Sequence, residues 1–388
     1  MQEIIIDELK GTGKKFERIV INRKLADGGQ GEIYLTGSGK HVVKIFKEPI
    51  IYETTAEIIE SFNQTFLRMS DFENHPSLQA RPLFCFAGRM GGQRVYGSVS
   101  VYLRPGQFVE IDQIVPVLKA GDRIKMCRQI AEVFEIFSVA SYVYVDLSDD
   151  NLFVNRLTKD IVFIDFESGG IIRSSFARTN TIGKASGYEP PELILKSFAD
   201  KFKFWVYLDW WSMAVLMFQI LTGFHPFIMF GAITEKTAEV LSRFQWPGVP
   251  VEEWRDGVSG YYNDFKAAIS KIPPGMLELF KKTFNDGFFD PTRRVSPNQW
   301  LQAIIGNAGG YVPVLKNYRF LIGKNCKILE LECENTKLVL ISVKGWVRTF
   351  PAFSRVRVQL PWNLNANEVV VELFSNDGVR KKQSITLI

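Results

Sequence analysis

The chain has 388 residues, of which 46% are hydrophobic and 23% charged, with a formal net charge of +5. That is long enough for two domains with buried cores, and it excludes a chain kept unfolded by low hydrophobicity. The cysteines Cys85, Cys127, Cys326 and Cys333 lack CxxC spacing, which argues against a zinc site or a disulfide framework and fits a reducing cytosol. The opening MQEIIIDELKGTGKK is acidic early and has no apolar signal-peptide core, so a cytoplasmic protein is expected.

Residues 1–17 read as an N-terminal extension. Strands are predicted at 18–21 and 31–35, flanking a glycine-rich turn, and at 41–46, a β-branched run. Helical spacing over 54–72 is set by Ile58, Phe62, Phe66 and Met69. Further strands are expected at 82–87 and 95–103. Beyond Gly121 the pattern turns helical, with an amphipathic stretch at 123–140, two short strands at 152–154 and 161–164, and helices at 209–221, 274–284 and 297–305. A strand-rich lobe feeding a helix-rich lobe implies a cleft between the two.

No Asp, Glu, Lys or Arg occurs between Asp209 and Glu235, a run long enough to raise a membrane span. Gly223, His225 and Pro226 break it, so a buried helix is expected and no membrane segment. From about Tyr311 the pattern becomes all-β, with strands at 327–332, 337–343, 355–360, 368–374 and 383–388 and a turn signal at Ser375-Asn-Asp-Gly378. This predicts an immunoglobulin-like sandwich without a suitable cysteine pair, and Gly306-Asn-Ala-Gly-Gly310 is the expected boundary. From Gly306 onward there are 12 Lys+Arg against 6 Asp+Glu. A basic sheet can serve solubility or meet an acidic partner; no aromatic-interleaved basic stretch supports a nucleic-acid site.

The turn Leu25-Ala-Asp-Gly-Gly-Gln-Gly-Glu-Ile-Tyr34 places Gly28, Gly29 and Gly31 between two strands. Glycines allow the backbone to approach phosphates, although simple glycine hairpins are also common. Lys44 ends His-Val-Val-Lys; a lysine on an apolar strand needs anionic partners or an edge position. The densest chemistry is Asp146-Leu-Ser-Asp-Asp-Asn151 followed by Asp165 after an apolar strand. Two short strands can hold Asp146, Asn151 and Asp165 around one point, an oxygen set suited to Mg²⁺ and phosphate. For Asp149 and Asp150 a solvated acidic loop is the alternative.

In this order and approximate spacing, over residues 18–305, the chain resembles the eukaryotic-type protein kinases. Pro190-Pro191-Glu192, the helix from Asp209 through Leu221-Thr-Gly223, and Asp290-Pro-Thr-Arg-Arg294 extend the likeness. The resemblance implies an α+β, bilobal fold and use of ATP and Mg²⁺. It implies that Lys44 contacts the α- and β-phosphates and pairs with a helix glutamate, Glu60 or Glu57. It further implies Asp146 as catalytic base and Asn151 and Asp165 as magnesium ligands. Ile33, Val42 and Phe153 would sandwich the adenine, with Tyr102 in the hinge at 101–103, and Arg294 would pair with Glu192. The loop without lysine is most similar to atypical bacterial members.

Departures thin the substrate side. Ala26 replaces the first loop glycine, Tyr144-Val145 replaces His-Arg, and Glu167 replaces the glycine after Asp-Phe, with Gly169 and Gly170 following. Ser148 stands where a lysine is usual and Ala185 where a threonine is. Without an arginine at 145, phosphorylation at Ser174, Ser175, Thr179 or Thr181 is expected to be dispensable, unless Arg173 or Lys184 anchors it. Three readings follow: an active Ser/Thr kinase with a partner-binding β domain, a pseudokinase scaffold, or a nucleic-acid-associated kinase.

Overall fold

The computed structural model describes residues 2–13, 15–68, 73–173, 176–177, 187–195, 205–307, 314–322, 327–334, 336, 338–343, 346–351, 355–360, 368–374 and 380–386. The chain divides into two compact units, Met1–Asn298 and Gln299–Ile388. The division falls inside a helix, upstream of the glycine-rich stretch expected from sequence.

The first unit opens with β1 (Gln2–Lys10), β2 (Arg18–Asp27), β3 (Gly31–Thr36) and β4 (His41–Phe46), then α1 (Pro49–Arg68), β5 (Phe84–Met90) and β6 (Gln93–Val101). These strands close into a barrel in the order β1-β2-β3-β4-β6-β5. Residues 2–10, read above as an extension, are therefore a structural stave. β1 pairs antiparallel with β2 and with β5, so neither is left as an edge. Ile4, Ile19, Ile21, Val43, Ile45, Phe86 and Val99 fill the interior. Strand alternation then turns the other face of β3 and β4, carrying Ile33, Val42 and Lys44, outward.

The second lobe of this unit holds β7 (Phe108–Glu110), α2 (Ile111–Ile114), α3 (Ala120–Val139), β8 (Tyr142–Val143), β9 (Leu152–Asn155), β10 (Ile161–Phe163), β11 (Gly170–Arg173) and β12 (Phe176–Ala177). Next come α4 (Pro191–Ile194), α5 (Trp205–Thr222), α6 (Glu235–Arg243), α7 (Tyr262–Ile269), α8 (Pro274–Phe284) and α9 (Asp286–Phe289), and then α10 (Pro297–Asn307), in which the first unit ends at Asn298. The charge-free run lies in and after α5, whose Trp211, Met213, Val215, Met217 and Phe218 are fully buried. Phe227, Phe280, Phe284 and Phe288 surround that helix with ring contacts, so it is a core helix. Among the described residues no helix is long and apolar enough to cross a membrane.

The second unit carries β13 (Val314–Ile322), β14 (Lys327–Glu334), β15 (Leu338–Val343), β16 (Trp346–Pro351), β17 (Arg355–Leu360), β18 (Glu368–Phe374) and β19 (Arg380–Thr386). They form two antiparallel sheets, β13-β14-β17 and β16-β15-β18-β19. Alternate residues of both, including Leu329, Leu331, Val356, Val358, Ile341 and Val371, share one buried core. The turn predicted at 375–378 lies outside the described residues.

Candidate active site

The site lies within the first unit, between the outward face of β3, β4 and β6 and the loops around β8, β9 and β10. Cross-strand register brings the barrel's contribution together. Ile33 faces Lys44, and Lys44 faces Ser98. Of the loop glycines, Gly31 answers a steric demand, because a Cβ there would stand 2.3 Å from the Ile45 carbonyl oxygen. Gly28 and Gly29 meet no such barrier, and a Gly28 N–H to Gly31 C=O bond of 2.9 Å closes the turn. Lys47 holds that turn, donating to the Gly28 carbonyl at 2.7 Å and pairing with Asp27 at 3.1 Å.

Across from this face, Asp146 is positioned by its backbone. Asp209 of α5, buried at 3% exposure, accepts the N–H groups of Tyr144 at 2.7 Å and Val145 at 2.8 Å. Val145 sits at φ 67°, a costly conformation for a β-branched residue, and an Asp146 N–H to Tyr144 C=O bond of 2.8 Å closes the three-residue turn. Burial pushes the Asp209 carboxyl up to about 7, against those two donors, which pull it down. The Tyr144 hydroxyl donates to the Ile164 carbonyl, so the residue in place of the usual histidine ties this loop to the strand end before Asp165.

Asp165 adopts the left-handed conformation at φ 56°, which a short polar side chain tolerates. A 3₁₀ turn, Phe166–Ser168, follows it. Asn151 donates its amide nitrogen to the Asp146 carbonyl at 2.7 Å, which leaves its amide oxygen for a cation. Ser168 donates toward Asp165 at 3.2 Å and Asp146 at 3.4 Å. Burial, and then the Asp165 charge, raise the Asp146 carboxyl above its ordinary value. Among the described residues no group of three or more His, Cys, Asp or Glu forms a metal cage. An amide oxygen and one or two carboxylates nevertheless fit Mg²⁺, which keeps water and phosphate oxygens as its other ligands.

Lys44 closes the network. Its ammonium donates to Asp165 and, at 3.1 Å, to the Gln30 side chain, and it lies 3.6 Å from Glu167. Burial lowers its affinity for a proton, but the Glu167 and Asp165 charges outweigh that and the net shift is upward. Gln30 also donates to Ser168 at 3.0 Å, linking the glycine turn to the opposite lobe.

The expected partner of Lys44 needs correcting. Glu60 is exposed and accepts from Gln64 at 2.9 Å, one turn along α1. The buried face of α1 carries Ile51, Tyr52, Thr55, Ile58, Ile59, Phe62 and Phe66 and no carboxylate. Glu57 and Glu60 instead line a cavity with Lys10, Gly11, Glu53 and Ile171. Among the described residues the carboxylates ion-paired with Lys44 are those of Asp165 and Glu167.

The other expected positions are partly exposed on this side of the barrel or on β9: Ile33, Val42, Tyr102 and Phe153. Phe153 packs with Leu103 and Ile164 against Ala80, Phe108 and Val162. The Tyr102 N–H is already committed to the Lys40 carbonyl at 3.0 Å. Sequence reasoning missed Gln30, Ser98 and Ser168 as members of the network. Gly169 answers a demand for space: a Cβ there would meet the Val143 carbonyl oxygen at 2.3 Å. Ser174, Ser175, Thr179, Thr181, Lys184 and Ala185 lie outside the described residues, as does the Arg173 side chain.

Away from the centre, Arg294 makes a buried bidentate pair with Glu192, at 2.7 and 2.5 Å, as the late motifs imply. It also donates to the carbonyls of Gly287 at 2.9 Å and Tyr207 at 2.7 Å, so one side chain joins α4, α5 and α9.

Comparison with known proteins bears on the family rather than on single site residues. Residues 96–303, more than half of the chain, match the family model described as Protein kinase domain. Two curated relatives are products of Drosophila melanogaster described as cGMP-dependent protein kinase, isozyme 2, which differ in the forms they represent. Each is 31% identical over 169 residues, which is 41% of this chain and 17% and 14% of those proteins. The match thus spans under a fifth of either relative. With more than half of its length matched to that family model, the chain belongs to the protein kinase domain family.

Proposed function

We propose that this chain is a Mg²⁺- and ATP-dependent protein kinase that transfers the γ-phosphate to a serine or threonine hydroxyl. The observation that carries the reading is the single connected network Gln30–Lys44–Asp165–Ser168–Asp146–Asn151, which spans the cleft between two lobes. The face bearing Ile33 and Val42, with Phe153 across from it, offers apolar walls for a base. Lys44 is half-buried, cationic and anchored by carboxylates, so it is suited to hold phosphate oxygens. Magnesium, when bound, would neutralise phosphate charge, with Asp165 and the Asn151 amide oxygen as its protein ligands. Asp146 would accept the hydrogen bond of the substrate hydroxyl and aim it for in-line attack.

A pseudokinase scaffold is the second reading, favoured by Ser148, which is 4% exposed and brings no charge where a phosphate-neutralising cation is usual. Losing one such charge costs roughly 10²–10³ in rate, which slows transfer without abolishing it. The discriminating experiment is transfer of labelled phosphate from ATP by the purified chain beside an Asp146→Asn control. Transfer that vanishes in the control supports the kinase; nucleotide binding with equal background in both supports the scaffold.

For the second unit we infer an immunoglobulin-like sandwich that recruits a protein partner in the cytoplasm. The support is the division of its strands between two sheets over one core, with β16 beside β15 rather than beside β13. Its charge is too weakly organised to favour nucleic acid.

A further inference from the structure

We propose that Glu167, the residue after Asp165-Phe166, is the positioning residue that holds Lys44 for nucleotide phosphates, in the place expected of a glutamate on α1. The proposal rests on the reading of Lys44 as the phosphate-contacting lysine.

Three observations carry it. The side chain of Glu167 is 5% exposed, and a buried carboxylate needs partners on both oxygens. One oxygen accepts the Ser98 hydroxyl at 2.7 Å and the other lies 3.6 Å from the Lys44 ammonium. Second, Lys44 and Ser98 are directly opposite each other on β4 and β6, so the register that sets the barrel aims both groups at one point. Third, α1 turns an apolar face inward: Ile58 is fully buried and Phe62 packs edge-on against Phe166 at 6.0 Å. That helix touches the site through rings, while its glutamates line a separate cavity.

Placing the acid two residues from Asp165 ties the lysine anchor and the metal-binding carboxylate to one 3₁₀ turn. Gly169, pressed against the Val143 carbonyl, fixes where that turn ends. The lysine is then held whenever this turn is formed, without a contribution from an α1 carboxylate.

The test compares binding of Mg·ATP and of adenosine to the full chain by calorimetry, with thermal melts as a folding check. Losing the anchor disturbs phosphate contacts alone, whereas general damage to the lobe lowers affinity for both ligands. Glu167→Gln should weaken Mg·ATP roughly tenfold or more while adenosine stays within about threefold, and Glu167→Asp should recover part of the loss. Ser98→Ala, which frees the carboxylate but keeps its charge, should give a smaller loss of the same ATP-selective kind. Glu57→Gln and Glu60→Gln should bind both ligands as the parent does. Unchanged ATP affinity in Glu167→Gln or Ser98→Ala, a parallel loss of adenosine, or a selective loss in Glu57→Gln or Glu60→Gln overturns the proposal. Should the parent chain bind neither ligand, the nucleotide-site reading itself fails, a result distinct from all of these.

Discussion

Asp209 illustrates how much of the site depends on one buried group outside the cleft. Its folded-state affinity for a proton is raised to about 7, far above an unfolded aspartate. The native state therefore binds more protons than the unfolded chain between those values. The stabilisation linked to this group is complete below the unfolded value and is lost as pH rises through about 7. Relative to an Asp209→Asn variant, the parent should lose on the order of 2–3 kcal/mol between pH 5 and pH 8. Urea titrations of both proteins at the two pH values measure this, and an unchanged difference would mean that the two backbone donors keep Asp209 ionised throughout. The Arg294–Glu192 pair makes a simpler case. Both side chains are buried, so Glu192→Gln strands a cation and should cost about 3–5 kcal/mol, read as a fall in the urea midpoint. A loss below about 1 kcal/mol would show that the carbonyls of Gly287 and Tyr207 suffice for Arg294.

Legibility at this scale followed the kind of information each residue needs. Lys44, Asp146, Asn151 and Asp165 stand out in one dimension because each is a polar break beside an apolar strand. Glu60 misled because a glutamate at a helical spacing says nothing about which face a tertiary contact will bury. Ser98 carried no signal, since its role exists only once β4 and β6 are in register.

At the scale of elements, β1 shows why a strand can escape sequence reading. Its burial runs exposed, exposed, buried, exposed from Gln2 to Ile5, although Ile4, Ile5 and Ile6 are identical residues. Pattern analysis sees an apolar triplet; the barrel distinguishes Ile4, fully buried, from Ile5, half exposed. This gives a within-strand prediction. Ile4→Ala should cost about 2–4 kcal/mol through lost burial and a cavity between β2 and β5. Ile5→Lys should stay within about 0.5 kcal/mol. Equal effects of the two, measured by chemical denaturation, would mean that β1 is not a stave of the barrel in solution. By contrast α8, β17 and β18 were read with their observed bounds, because strict periodicity and clear terminators made them local problems. For the second unit the sequence offers strand patterning and one turn signal, which give faces and a hairpin but no sheet order.

At the scale of the whole molecule, the chain divides into two compact units, and each has buried apolar clusters of its own: the barrel interior lies in the first, the core between the two β-sheets in the second. Self-contained cores predict separable folding. The division falls within α10, so the informative cut lies after that helix, at residue 310. Residues 1–310 should melt cooperatively and bind Mg·ATP within about threefold of the full chain, because every group of the proposed site lies in the first unit. Aggregated or uncooperative protein after this cut would make the β unit part of the kinase core. The excised β unit also tests the least favoured reading. It carries the chain's excess of basic residues, 12 against 6 from Gly306 onward, so a duplex probe at low salt should show some attraction. Non-specific attraction of this size should vanish near physiological salt. Binding that persists there, with a steep linear dependence on log salt concentration, would require a built phosphate-binding surface and would reinstate the nucleic-acid role.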